Sequence, residues 1–147
     1  MSDYFLSEIN LDGFQVVKGQ YFQKQAEPIL TLWPTAMAFG QGAFQAFHNC
    51  ECIQVFLNSL NKSILICPAS SNAQDAVAWR HTKAEPKYSK VDCPQLARKL
   101  FEQWGFRKEC HYKTVGRLVQ VDQKLMILFD FNNPEIFEGA RRVLNDG

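Results

Sequence analysis

From Cys52 to Pro68 the chain reads CIQVFLNSLNKSILICP, two apolar runs on either side of the polar loop Asn58-Ser59-Leu60-Asn61-Lys62. Ile53, Val55 and Leu57 alternate with Gln54 and Asn58, and Ile64 and Ile66 keep the same period of two, which predicts a β-hairpin with one apolar face. A lone hairpin is marginal in water, so other elements must cover that face. Ile29 to Trp33 and Ala36 to Phe39, joined by Pro34-Thr35, predict a second, tight hairpin. Ala43, Phe44 and Phe47 fall on one side of a short helix ending near His48-Asn49. Further upstream, Phe14 to Phe22 fits a strand ending at Gly19 with a helical turn to Ala26, although its periodicity does not decide the matter.

Residues 69 to 74 turn to Ala, Ser, Asn and Gln, the composition of a surface loop and the best boundary between two halves. Val77 to Thr82 and Lys87 to Val91 are extended pieces flanking Glu85-Pro86. A helix follows, with Asp92 as N-cap, Pro94 at an early position and Gln95 as capping-box partner. Leu96, Leu100 and Trp104, with Ala97 and Phe101, form its apolar face, and Gly105 stands where a left-handed residue ends a helix. Cys110 to Val121 and Lys124 to Phe131, around Asp122-Gln123, predict another long hairpin. A final helix is expected over 134–144, with Pro134 at its start, Glu135 near the positive end, and Arg141 and Arg142 near the negative end.

Residues 29–68 and 77–131 both read strand, strand, helix, strand, strand, and in each the third strand opens with Glu-Cys, at Glu51-Cys52 and Glu109-Cys110. The expected fold class is therefore α+β, with duplicated ββαββ units forming a small barrel or two packed antiparallel sheets with short helices. A chain of 147 residues is the size of one domain, and twelve Phe with three Trp imply a bulky core.

The opening MSDYFLSEINLDG is acidic, without a basic start or a long apolar run, which points to the cytoplasm and away from a membrane. The five cysteines are an odd number in a chain able to build a core without staples, so they read as reduced thiols. His48, Cys50 and Cys52 are the nearest approach to a zinc ligand set. Their spacing is not that of paired zinc cysteines, and no second pair completes them. Cys110 and His111 have the chemistry of a nucleophile and a base, but neighbours on a strand point to opposite faces. No catalytic residue, metal or cofactor is assigned, and the chain is read as non-enzymatic.

Charge changes the picture. Residues 1–79 hold three Lys/Arg and six Asp/Glu, whereas residues 80–131 hold eleven and six. Basic charge concentrated in one half suggests phosphate contact, so a nucleic-acid-associated or regulatory module is the first expectation. Its candidate contacts are Lys87, Lys90, Lys113 and Arg117, with Lys113 and Arg117 expected to point the same way along one strand. Tyr88, Trp104 and Tyr112 are the aromatic residues expected nearby. The alternative is a protein-interaction or homodimer module that uses surplus aromatics as its contact.

The element order resembles the duplicated swapped-hairpin barrels of AbrB/SpoVT-type bacterial transcription regulators, and that resemblance implies DNA binding. More of the chain is similar to a family of short, uncharacterised proteins from Gram-positive gut bacteria and their mobile elements, often labelled integrase. The matching pieces are FQVVKGQYF, EPILTL, CIQVFLNSLNKSILICP, AVAW, HYKTVGRLV and MILFDFNNPEIF. This similarity implies kinship and not activity. A tyrosine recombinase needs an H-x-x-R element, and none of His48, His81 and His111 is followed by Arg three residues on.

Overall fold

The computed structural model of the chain describes residues 7–18, 26–80 and 88–144. In chain order its elements are β1 (Ile29–Trp33), β2 (Ala36–Gly40), α1 (Gln41–Ala46), β3 (Cys52–Asn58), β4 (Ser63–Ala69), β5 (Val77–Ala78), β6 (Tyr88–Asp92), α2 (Pro94–Trp104), β7 (His111–Val115), β8 (Arg117–Val121), β9 (Lys124–Asp130), β10 (Glu135–Glu138) and β11 (Arg141–Val143). The strands form two sheets, a six-stranded one in the order β11-β10-β7-β1-β2-β6 and a five-stranded one in the order β5-β3-β4-β9-β8. Every neighbouring pair is antiparallel. Each sheet ends in strands with one neighbour, so neither closes into a barrel.

The period-two pattern sets the faces. Leu30, Leu32, Met37, Phe39 and Tyr112 from the six-stranded sheet meet Ile53, Ile64, Ile66, Ile127 and Phe129 from the five-stranded sheet in one continuous cluster. Phe39 and Phe129 meet edge-on across it, with centroids 6.5 Å apart. From α1, Phe44 lies 4.2 Å from the Trp79 ring, and the Trp79 indole N–H donates to the Cys50 carbonyl at 2.7 Å. From α2, Phe101 packs edge-on against Tyr112, and Trp104 stacks on Phe131. No helix among the described residues is long and apolar enough to cross a membrane.

Several expectations change. The duplication does not extend to pairing: β1 and β2 form a hairpin, whereas β5 and β6 belong to different sheets. The stretch from Cys110 to Val121 is not one strand, because it leaves the six-stranded sheet as β7 and joins the five-stranded sheet as β8. Gly116 stands at the crossing, where an added Cβ would lie 2.6 Å from Ile127 and 2.7 Å from Phe129, and its amide donates to the Pro28 carbonyl at 2.7 Å. A side chain would push the corner off the core.

The helix expected over 134–144 is instead the β10–β11 hairpin, with Glu138 opposite Arg141 and Gly139 at a φ of 61° in the turn. Glu135-Ile136-Phe137-Glu138 alternates as a strand does, and Ile136 packs on the core while Phe137 faces outward, which a glycine-bearing turn permits. The α2 N-cap is Cys93 rather than Asp92, with no side-chain cap bond. Asp92 is held in β6 opposite Ala36, so its backbone serves the sheet. Gly105 does end the helix, at a φ of 68°. Residues 14–18 form no strand. The remainder of that expected element, the turn at Glu85-Pro86 and the end of the extended piece from Val77 to Thr82 lie outside the described residues.

Candidate functional site

Because Leu30, Leu32 and Tyr112 point into the core, their alternating neighbours on β1 and β7 form the outer face of the six-stranded sheet. The register places Glu135, Lys113, Thr31, Ala38 and Lys90 in one row across five strands. In the adjacent row Arg142 lies opposite Phe137 and Phe137 opposite His111, while Trp33 lies opposite Ala36 and Ala36 opposite Asp92.

The aromatic members of this row stack on one another. Trp33 and His111 are nearly parallel with centroids 3.9 Å apart, and His111 and Phe137 follow at 5.2 Å. The Lys90 ammonium lies 5.5 Å from the Trp33 ring centroid, in cation–π contact. Only Ala36 and Ala38 stand on β2 between them, so nothing large separates the cation from the ring. Beside the stack is a concavity of about 360 Å³, lined by Ile29, Thr31, Ala38, Gly40 and Lys113 together with the three rings.

Burial, and after it the Lys113 charge, hold His111 below its ordinary range, so its ring is the neutral imidazole near pH 7. Lys113 makes no ion pair among the described residues, although Glu135 lies opposite it. Among the described residues the face thus carries Lys90, Lys113 and Arg142 against Glu135 and Asp92. That excess is small, so a polyanion held here would depend on the rings as well as on charge.

The expected contacts do not all meet. Lys90 and Lys113 share a row, but Arg117 lies on the outer face of the five-stranded sheet, in a row with Phe56, Leu65 and Leu128. Lys113 and Arg117 therefore face away from the core on opposite sides, because the chain changes sheets between them. Lys87 lies outside the described residues, as does the side chain of Tyr88. Trp104 and Tyr112 are core residues rather than surface rings. The other basic residues are dispersed: Arg107 pairs with Glu109 at 3.8 Å, and Arg80 donates to the Asn49 carbonyl at 2.8 Å.

Trp33, His111 and Phe137 were absent from the sequence-based site. Trp33 carries a readable signal, since it keeps phase with Thr31 and falls off the Leu30 and Leu32 face. Its union with His111 and Phe137 depends on β1, β7 and β10 being neighbours, which no local pattern encodes.

Cys110 is buried while His111 faces outward, so the two do not meet. The Cys50 thiol donates to the Cys52 carbonyl at 3.3 Å. Among the described residues no three His, Cys, Asp or Glu side chains gather in a metal-binding arrangement. Compared with known proteins, the chain matches no family model, no curated protein and no solved structure.

Proposed function

We propose that the protein is a nucleic-acid-associated module whose contact surface is the outer face of the six-stranded sheet. The observation that carries this reading is the convergence of Lys90 and Lys113, far apart in sequence, on one cross-strand row beside the Trp33–His111–Phe137 stack. Lysines on such a face neutralise phosphates, and no described element has the form of a base-reading helix, so binding is weak and tolerant of sequence. A cytoplasmic setting and a regulatory role fit this reading. The test is fluorescence anisotropy with labelled DNA and RNA at low and moderate salt. Wild type should bind with salt-dependent affinity and Lys90→Ala/Lys113→Ala should lose most of it. No salt-dependent binding by wild type, or unchanged affinity in the double variant, overturns the reading.

A second reading is a homodimer or protein-interaction module working through the other sheet. Its support is the apolar row of Phe56, Leu65 and Leu128 on the five-stranded sheet, with Phe56 46% exposed. Sedimentation across a concentration series tests it: the mass of wild type should rise and that of Phe56→Asp should not.

A further inference from the structure

Resting on the nucleic-acid reading, we infer that the ligand is a single strand, with one base seated in the concavity over Ala38 and Gly40 against the edge of the Trp33–His111–Phe137 stack. Three observations lead there.

The first is shape. The concavity of about 360 Å³ has ligand-pocket dimensions, and the small residues Ala38 and Gly40 are among those that line it. A duplex keeps its bases paired and stacked and offers only their edges in the grooves, so it has no whole base to place in this space. An unpaired base has a flat apolar body and polar edges, which match a lining of Ile29, Ala38 and Gly40 together with Thr31 and Lys113.

The second is charge. Among the described residues the face sets Lys90, Lys113 and Arg142 against Glu135 and Asp92, an excess of one positive charge. Proteins that hold single strands combine a positively charged groove with base–aromatic contact, and on this face the aromatic part is the larger.

The third is availability. Lys113 stands beside the concavity without an ion pair among the described residues, free to meet the phosphate of a seated nucleotide. Lys90 lies at the far end of the same row, across Thr31 and Ala38, where the strand would leave the pocket.

Gly40→Val is the informative variant, because a Cβ at Gly40 finds only ordinary contact, 3.5 Å from Ile29, so the backbone admits a side chain there while the lining of the concavity fills. The probes are uridine and thymidine homopolymers and a duplex of equal length, read by anisotropy at two salt concentrations, with circular dichroism confirming that each variant is folded. Wild type should prefer one or both single strands over duplex by about tenfold or more, and Gly40→Val should erase that preference while keeping the salt-dependent duplex binding. Which homopolymer binds tells RNA from DNA. If wild type binds duplex as tightly as single strands, or if Gly40→Val keeps the preference, the pocket is not a base site, although the nucleic-acid reading survives. If wild type binds none of the probes, both fall.

Discussion

The Trp104 indole N–H donates to the Ser59 carbonyl at 3.0 Å, tying the last turn of α2 to the tip of the β3–β4 hairpin. The ring itself is 5% exposed and stacks on Phe131. Trp104→Ala should therefore cost about 3–5 kcal/mol in urea unfolding, as large aromatic truncations in cores do. Trp104→Phe keeps most of the packing and loses the tie, so it should cost about 1 kcal/mol beyond the smaller volume. A loss below about 1 kcal/mol for the alanine variant would place the ring at the surface.

Gly116→Ala places a methyl against Ile127 and Phe129 where the chain passes between sheets. We expect a loss of about 1–3 kcal/mol from overpacking, read by thermal denaturation. An unchanged melting temperature would mean that the corner yields freely.

Burial is the main cause of the lowered His111 value, so the folded protein binds the proton less readily than the unfolded chain does. The stability this contributes is fully present above the ordinary value of 6.5 and is lost as pH falls through the lower folded value. Lys113 adds to the effect, while Glu135, Arg142 and Lys90 share the same outer face. His111→Phe keeps a ring in the stack and should flatten that part of the pH–stability curve; an identical slope in wild type and variant would sink the assignment.

Burial also pushes the thiols of Cys50 and Cys93 up, which leaves less thiolate near neutral pH. Both should alkylate slowly in the native protein at pH 7.5 and quickly once urea is added, followed by mass spectrometry of the modified peptides. Equal rates in both states would show that the thiols are open to solvent.

Separated pieces 1–74 and 75–147 should each fail to give a cooperative unfolding transition. Ile29 is paired with Val115, and Ile64 with Phe129, so each piece lacks the neighbour of a central strand. A sharp, monomeric transition in both would contradict this.

What the chain discloses by itself is local. The hairpins at Ile29–Gly40 and Cys52–Ala69 were readable because one face of each must be apolar and the period of two survives in the residues. The α2 face of Leu100, Phe101 and Trp104 was readable for the same reason at helical spacing. Glu135 and Arg141–Arg142 misled, since charges suited to the ends of a helix also suit the flanks of a hairpin, and only Gly139 in its turn separates the two. The break at Gly116 follows from the approach of Ile127 and Phe129, a tertiary fact without a local signature. The site divides likewise: two of its lysines were named from charge, while its rings come together only through the order of strands.

The pairing of β1 with β7 and of β4 with β9 also has a consequence in time. A ribosome delivers β1 and β4 long before β7 and β9, so each of these strands waits with one open edge until its second neighbour arrives. Pairings so distant along the chain close large loops before any contact rewards them, which makes for slow folding. Until β9 arrives, the edge of β4 offers its unpaired backbone groups to any other chain, and β9 is the strand that closes it.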